Sequence, residues 1–205
     1  MTLLPPKGIV LSVSGPSGVG KGTVIAAVRR RNPAIFHSVS VTTRSPRVGE
    51  TDGVEYHFRT REEFETLLRE NGILEHDLYC GNFYGTPRGP LEDAVALGRD
   101  VIMDITVPGS LSVMQNYPDA VSIFLLPPSL TELRNRLEGR GTEPPEAMDQ
   151  RLAKARDEIS RAPLFDYVVV NEDVDSTAVA ILNILEAERL RYRRQEGIEK
   201  RILEL

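Results

Sequence analysis

Hydrophobic residues along the chain form short runs separated by polar stretches with helical spacing. Four runs rich in β-branched residues predict buried strands, at 8–13, 100–105, 120–125 and 166–170. Amphipathic patterns predict helices near these strands, at 23–31, 91–97, 110–115 and 130–137. Because strands that alternate with helices are joined by crossovers, the pattern predicts an α/β fold, a parallel sheet with helices on both faces.

Two stretches interrupt this alternation. Residues 39–98 are rich in turns and predict a small mixed insertion, with short strands near 55–58, 72–79 and 82–84 and a helix at 61–70. Residues 136–162 are polar; their Gly-Arg-Gly and Pro-Pro sequences suit either a mobile lid or a long solvated loop that leads into a helix. A long amphipathic helix is predicted at 177–194. The core is therefore predicted to be discontinuous, formed by 1–38, 99–135 and 163–205.

Composition and charge narrow the functional classes. The chain has 205 residues, enough for one substantial core, and none of its apolar runs approaches the roughly 20 residues that span a bilayer. Its net charge of −5 argues against a general affinity for nucleic acid. Cys80 is the one cysteine, so no intramolecular disulfide can form, which fits a reducing compartment. We expect a cytoplasmic protein that binds neither nucleic acid nor membranes.

The segment SGPSGVGKGT, which ends at Thr23, is the strongest local signal. Gly15, Gly20 and Lys21 match G-x-x-x-x-G-K, directly after a predicted strand and at the start of a predicted helix. Backbone N–H groups and the helix dipole bind anions at such a junction, and a lysine can neutralise the β- and γ-phosphates of a nucleotide. The segment predicts a sheet of the P-loop NTPase type and a nucleotide-binding loop, which the resemblance described below assigns to ATP, formed by Gly15, Pro16, Ser17, Gly18, Val19, Gly20, Lys21, Gly22 and Thr23.

Gly22 stands where such loops commonly carry a hydroxyl that ligates Mg²⁺. The Lys-Gly-Thr order is similar to that of nucleoside-monophosphate kinases, in which Mg²⁺ can be held mainly by nucleotide phosphates and water. Asp104, at the end of a predicted strand, can hold one of those waters. A GTPase is disfavoured, because guanine recognition by N-K-x-D is absent: no lysine of the chain follows an asparagine.

Five segments together resemble guanylate kinase, in order and spacing, over roughly residues 8–188. They are GPSGVGKGT, SVSVTTRSPRVGETDGVEYHF, ILEHDLYCGNFYGT, RLEGRGTEPPEAMDQRL and FDYVVVNED. The resemblance implies transfer of the γ-phosphoryl group of ATP to GMP, and to dGMP as well, with Mg²⁺ as cofactor. It also implies a P-loop core, a GMP-binding insertion at 39–98 and a mobile helical lid at 136–162.

The resemblance assigns the GMP site to residues of the insertion. Arg44, Arg47, Tyr56 and Tyr84 match residues that bind the GMP phosphate, and a pair of arginine forks suits that anion. Glu75 matches the carboxylate that accepts hydrogen bonds from N1–H and N2–H₂ of guanine. The remaining candidates on this side are the hydroxyls of Ser40 and Thr86 and the carboxylate of Asp104.

The resemblance also implies cationic groups for the transfer itself. Arg136, Arg140 and Arg151 match arginines that fold over the ATP phosphates, and Asn171 matches an asparagine beside the ATP nucleoside. With Lys21 and Arg44, these arginines are the candidate catalytic residues. No covalent nucleophile is required, because phosphoryl transfer of this kind rests on positioning and electrostatics.

The match is imperfect at DITVPG, where the family usually has D-I-D-x-Q-G. Thr106 replaces the second aspartate, which removes a carboxylate close to the GMP side, and Pro108 replaces the glutamine. Val41 replaces a position often filled by serine. Two alternatives remain: a related kinase of phosphorylated sugars, and a catalytically inactive binding module for peptides. The sequence leaves open whether the chain is a monomer or a homo-oligomer.

Overall fold

The computed structural model describes residues 7–79, 81–138 and 145–204. Its strands are β1 (Val10–Ser14), β2 (Phe36–Ser38), β3 (Val41–Thr42), β4 (His57–Phe58), β5 (Ile73–Tyr79), β6 (Asn82–Pro87), β7 (Val101–Asp104), β8 (Val121–Leu126) and β9 (Tyr167–Val170). Its α-helices are α1 (Lys21–Arg31), α2 (Arg61–Arg69), α3 (Arg88–Ala96), α4 (Val107–Asn116), α5 (Leu130–Glu138), α6 (Pro145–Ser160), α7 (Val174–Arg189) and α8 (Ile198–Leu203). None of the helices in these ranges is long and apolar enough to cross a membrane.

The larger sheet is parallel and has the order β2-β7-β1-β8-β9. Side chains alternate between its faces along each strand, so that Leu11 and Val13 pack with α1 and α7 while Val10 packs with α3 and α4. Both faces are thereby covered, as buried parallel strands require. The predicted α/β fold with a parallel sheet flanked by helices is confirmed.

The smaller sheet lies in the predicted insertion and has the order β4-β3-β6-β5. β3 pairs with β4 in parallel and with β6 in antiparallel orientation, and β5 and β6 form an antiparallel ribbon. Its small core is built on Val41, Phe64 and Ile73, with α2 across it. Helix α2 is fixed at its start by a capping box between Thr60 and Glu63.

Some predicted boundaries were wrong. Helix α4 begins at Val107 rather than 110, because the hydroxyl of Thr106 caps it and Pro108 is tolerated in its first turn. The last long helix, predicted at 177–194, runs from Val174 to Arg189 and is followed by a short 3₁₀ turn. Strands β2 and β3 were not predicted, because two- and three-residue strands carry too little periodicity.

Candidate functional site

A cleft of about 460 Å³ opens at the carboxyl ends of β1 and β7, between the two sheets and beside α6. In parallel α/β sheets this edge is the usual place for a ligand. Predicted site residues that line the cleft are Gly15, Ser17, Gly18, Gly20, Lys21, Gly22, Thr23, Ser40, Arg44, Arg47, Tyr56, Glu75, Tyr84, Asp104 and Arg151. The structure therefore brings together most of the residues that were predicted for two different nucleotides.

The glycine-rich loop between β1 and α1 forms one wall. Gly15, Gly18 and Gly20 all have positive φ, and a Cβ at Gly15 would collide with the backbone carbonyl of Leu125. The Nζ of Lys21 donates to the carbonyl oxygen of Gly15 at 2.9 Å, which holds the ammonium over the loop. The loop thus presents a cation and backbone N–H groups at the start of a helix, the chemistry of a phosphate site.

Asn171 and Arg136 do not line the cleft, but both contact this loop from behind. The buried amide of Asn171 donates from Nδ2 to the carbonyl oxygen of Val19 at 2.7 Å and accepts at Oδ1 from Thr177. The guanidinium of Arg136 donates to the same Val19 oxygen at 3.3 Å and to the carbonyl oxygen of Asn171 at 3.1 Å. Pro16 and Val19 likewise do not line the cleft, and Val19 is fully buried. Arg140 lies outside the described residues.

Asp104 lies at the end of β7, next to the first turn of α1. A Cβ on Gly22 would lie 3.7 Å from its Oδ2 atom, so the missing side chain at 22 leaves room in front of the carboxylate. Burial raises the pKa of Asp104, while Lys21 acts in the opposite direction. A carboxylate and the nearby Thr23 hydroxyl are oxygen donors of the kind that Mg²⁺ prefers.

Arg44 is held in place before any ligand arrives. Its two terminal nitrogens donate to the two carboxylate oxygens of Glu50, both at 2.9 Å, and its guanidinium lies 5.4 Å from the ring centre of Tyr56. Glu50 also accepts from the backbone N–H of Arg47 at 2.7 Å. Arg44 and the Arg47 backbone hold the pKa of Glu50 below its usual range, so this carboxylate stays charged. Glu50 therefore fixes the loop that carries both arginines.

Two tyrosines stand beside this arginine loop. Tyr56 and Tyr84 pack edge to face with ring centres 5.7 Å apart. Burial raises the pKa of Tyr56 and so does Asp104, which keeps its hydroxyl protonated and able to donate. Ser40 lies in the same part of the cleft, and its backbone oxygen accepts from His57 at 2.8 Å, which fixes its strand.

Glu75 is a buried carboxylate at the end of the cleft formed by the smaller sheet. Only 5% of the residue is exposed, and its Oε1 atom accepts from the hydroxyl of the buried Thr86 at 2.7 Å. Burial raises the pKa of Glu75 to about 7, against the lowering effect of the Thr86 bond; nearby Asp77 raises it further. A carboxylate that is costly to ionise when the cleft is empty suits a ligand that brings hydrogen-bond donors.

The unusual residues of DITVPG have distinct structural roles. Thr106 caps α4 by accepting from the backbone N–H of Gly109, and its hydroxyl donates to Oδ2 of Asp77 at 2.8 Å. Pro108 lines the cleft from the first turn of that helix. Val41 is buried in the small core, where an apolar side chain is favoured.

Helix α6 contributes the last wall through Arg151, Lys154 and Glu158. The Nζ atom of Lys154 lies 4.3 Å above the ring of Tyr79, and Glu158 faces the phosphate loop. Burial raises the pKa of Glu158, while Lys154, Lys21 and the backbone amide of Ser17 act in the opposite direction. On its other side α6 packs on α5 through Leu152 and Ala155.

Sequence reasoning missed several residues that line the cleft: Glu50, Asp77, Tyr79, Ile105, Lys154 and Glu158. A signal existed for Asp77 and Tyr79, which follow Glu75 at the period of two that puts strand residues on one face. Glu50 lies in the quoted segment SVSVTTRSPRVGETDGVEYHF, and only its ion pair with Arg44 reveals its contribution.

Comparison with known proteins gives concordant results. The sequence model of the family described as guanylate kinase matches residues 6–188. A guanylate kinase of Thermus thermophilus is 51% identical over 94% of this chain and 88% of its own length, and one of Paramagnetospirillum magneticum is 47% identical over 97% and 94%. The crystal structure of guanylate kinase from Anaplasma phagocytophilum covers 97% of this chain and 95% of its own, with 40% identity and a TM-score of 0.78.

Proposed function

The chain belongs to the guanylate kinase family, whose members phosphorylate GMP to GDP with ATP, and we propose how the side chains of its cleft divide that reaction. One observation carries the proposal. A single cleft joins a phosphate-binding loop at one end to a buried carboxylate, Glu75, at the other. This arrangement provides for two nucleotides whose phosphates meet between the loop and Arg44.

Arg44 and Arg47 bind the phosphate of GMP, together with the hydroxyls of Tyr56 and Tyr84. Arg44 is oriented in advance by its bidentate ion pair with Glu50, so little side-chain entropy is lost when the phosphate arrives. The tyrosines add neutral donors that do not repel the arginines. The combination supports recognition of a monophosphate with a fixed orientation toward the phosphate loop.

Glu75, Thr86 and Ser40 distinguish guanine from the other bases. The ionised carboxylate of Glu75 accepts from N1–H and N2–H₂ of guanine, while the hydroxyl of Ser40 can donate to O6; the single proton of the Thr86 hydroxyl is donated to Glu75. Adenine presents the opposite pattern at this edge and would leave buried polar groups without partners, which can cost about 10⁴-fold in specificity. The hydrogen bond from Thr86 supports this assignment by holding the Glu75 carboxylate in one orientation.

ATP binds at the loop formed by residues 15–23. Backbone N–H groups and Lys21 hold its phosphates, and Arg151 of α6 reaches them from the opposite wall. Asn171 and Arg136 brace the loop through the Val19 carbonyl, beside the position expected for the nucleoside. A direct contact of Arg136 or Arg140 with the phosphates stays a prediction from the sequence.

Mg²⁺ fits this site with few protein ligands. Among the described residues no cluster of three or more histidine, cysteine, aspartate or glutamate side chains could hold a metal ion. Asp104 and Thr23 supply oxygen donors next to the phosphate loop, which suits an ion held mainly by nucleotide phosphates and water. The ion would neutralise charge on the phosphate oxygens, and Asp104 would orient one of its waters.

In the transfer, a phosphate oxygen of GMP attacks the γ-phosphorus of ATP. The attack is in line with the bond between the γ-phosphorus and the oxygen that bridges the β- and γ-phosphates. That bond breaks, and ADP leaves with the electron pair. Lys21, Arg44 and Arg151 counter the charge that develops between the two nucleotides. The phosphate of GMP is already ionised, so no general base is needed.

A coupled assay of ADP release with ATP and Mg²⁺ tests this function. The acceptors are GMP, dGMP, AMP, CMP, UMP and ribose 1,5-bisphosphate. We expect turnover with GMP and dGMP alone, and a loss of at least 100-fold in kcat/KM for GMP in Glu75→Ala. Turnover with the sugar phosphate alone would favour the sugar kinase. Folded protein that binds GMP or a peptide without turnover would favour the inactive binding module.

A further inference from the structure

Asp77 is a second carboxylate on the wall that carries Glu75. Along β5 the residues alternate, so Glu75, Asp77 and Tyr79 line the cleft while His76 and Leu78 are exposed on the other face. Residues two apart on a strand are about 7 Å apart along its axis, close to the width of a purine ring system. Two acceptors at that spacing can contact one edge of the same base.

Thr106 fixes the position of Asp77 from the other sheet. Its hydroxyl donates to Oδ2 of Asp77 at 2.8 Å while its oxygen accepts from Gly109 in the N-cap of α4. The oxygen of this hydroxyl must offer a lone pair to the N–H of Gly109, so its one proton is directed toward Asp77. Oδ2 is therefore taken by the protein, which leaves Oδ1 of Asp77 as an acceptor for a ligand in the cleft.

Guanine brings more donors than Glu75 can satisfy. The exocyclic N2 amino group has two hydrogens, and N1–H is a third donor on the same edge. One Glu75 carboxylate, with Oε1 already accepting from Thr86, covers N1–H and one amino hydrogen. A buried donor without a partner is costly, so the second amino hydrogen requires another acceptor. Asp77 lies next to Glu75 in the same cavity and meets that requirement.

We propose that Asp77 is a specificity-determining residue that accepts a hydrogen bond from the N2 amino group of guanine, with Thr106 as its positioning residue. The proposal rests on GMP as the acceptor substrate. It also accounts for the absent carboxylate of DITVPG: the acidic group is provided by β5, and residue 106 has become the hydroxyl that orients it. The raised pKa of Glu75, to which Asp77 contributes, agrees with this close approach.

The test compares GMP with IMP, whose base lacks the 2-amino group. We expect Asp77→Ala to lower kcat/KM for GMP by roughly 10- to 100-fold and for IMP by less than about 3-fold. Asp93→Ala is the matched control, because it removes one negative charge from an exposed position on α3 and leaves both values unchanged. Equal losses for GMP and IMP, or no loss for either, would overturn the proposal.

A second set of variants moves the carboxylate from position 77 on β5 to position 106 at the start of α4. Thr106→Asp keeps an N-cap but sets two carboxylates side by side, so we expect kcat/KM for GMP to fall. The double variant Asp77→Ala/Thr106→Asp should regain the wild-type GMP-to-IMP ratio within about 3-fold, since a single carboxylate then faces the amino group. A double variant that melts like the wild type but keeps the low ratio of Asp77→Ala would contradict the inference.

The two hypotheses fail in different ways. If the wild-type protein does not phosphorylate GMP, the proposed function itself is wrong. If the wild type prefers GMP over IMP and Asp77→Ala retains that preference, the function stands and the role of Asp77 is refuted.

Discussion

The charge of Glu75 is governed by its burial in the cleft. It is buried, and its pKa is raised to about 7 from an ordinary value of 4.5. In the empty cleft near neutral pH, protonated and ionised forms therefore coexist. In the proposed complex guanine selects the ionised form, because only that form accepts from both of its donors. Binding of GMP and loss of the proton are consequently coupled.

We expect the affinity for GMP to weaken as the pH falls below about 7, approaching tenfold per pH unit, since the fraction of ionised Glu75 declines. The measurement is the dissociation constant of GMP from pH 5.5 to 8.5. Glu75→Gln is the control, because it retains the shape of the side chain and cannot titrate. Any pH dependence that Glu75→Gln retains comes from the phosphate of GMP. Identical pH profiles of the dissociation constant for the wild type and for Glu75→Gln would contradict the assignment of the titration to Glu75.

The same raised pKa affects stability in the opposite direction. Between the unfolded pKa and the folded value of about 7, the folded state binds the extra proton, so the free energy of unfolding falls as the pH rises through this window. Without ligand, Glu75→Gln should therefore match the wild type near pH 5 and exceed its melting temperature by about 5 °C at pH 8. Thermal melts at both values check this, and a less stable variant at pH 8 would refute it.

At the residue scale, motif residues could be predicted and their partners could not. Arg44, Glu75 and Thr86 were identified from short segments, and all three lie in or directly beside the cleft. The hydrogen bond of Thr106 with Asp77 joins residues 29 positions apart, one at the N-cap of α4 and the other on β5. The partners of Arg136 are also distant in the sequence. Arg136 was expected over the phosphates, and its guanidinium contacts the carbonyl oxygens of Val19 and Asn171.

At the scale of elements, the phosphate loop combines a backbone geometry that requires glycine with tight support from a neighbour. Gly20 has φ of 98°, and a Cβ there would lie 2.8 Å from Nδ2 of Asn171, the atom that also bonds the Val19 carbonyl. A side chain at 20 would displace Asn171 and with it the carbonyl it holds. The geometry of the loop therefore depends on a residue from the far side of the sheet.

Gly20→Ala should abolish most ATP binding, with at least a tenfold rise in its dissociation constant, while GMP binding stays within about threefold. Gly197→Ala is the matched control, because Gly197 has φ of 83° and nothing within 4 Å of the position of a Cβ. Both variants lose about 1–2 kcal/mol of stability, because alanine is placed at a positive φ. If ATP affinity falls equally in both variants, this backbone strain alone is responsible. Calorimetric titration with each nucleotide distinguishes the outcomes.

The bounds of a strand or helix were predicted well where its own residues carried a clear hydrophobic pattern. Buried strands such as β1 and β8 were found within two residues because apolar runs next to glycine or proline admit few other structures. The start of α4 was missed, since the Thr106 cap precedes a Val-Pro-Gly segment that has no helical periodicity. The last long helix was extended too far, because charged residues continue after it ends at Arg189.

At the scale of the whole molecule, the cleft has three walls that belong to separate parts of the chain. The phosphate loop is fixed to the larger sheet, the GMP side belongs to the smaller sheet, and α6 packs mainly on α5 through Leu133, Leu137 and Leu152. The glycine-rich motif predicted the first wall, and the resemblance to guanylate kinase assigned the second to the insertion at 39–98. That residues 136–162 move as a lid stays a prediction from the sequence.

We expect α6 to become ordered against the cleft when both substrates are present, because Arg151 and Lys154 then face the phosphates. Amide hydrogen exchange should slow at residues 148–160 with GMP and a non-hydrolysable ATP analogue together, and less with either alone. Strand β8 provides the internal reference, since it is buried throughout. Protection confined to the phosphate loop would contradict a closing role for α6.

Glu158 is the one anionic group that α6 brings toward the phosphate loop among the residues the structure describes at the cleft. Burial raises its pKa, and its Oε2 atom is enclosed without a hydrogen-bond partner among the described residues. A nucleotide that enters the loop meets this carboxylate at close range, and so does the diphosphate that remains after transfer. Helix α6 thus places a carboxylate on the wall that also carries Arg151 and Lys154, so its contribution to the cleft is not purely cationic.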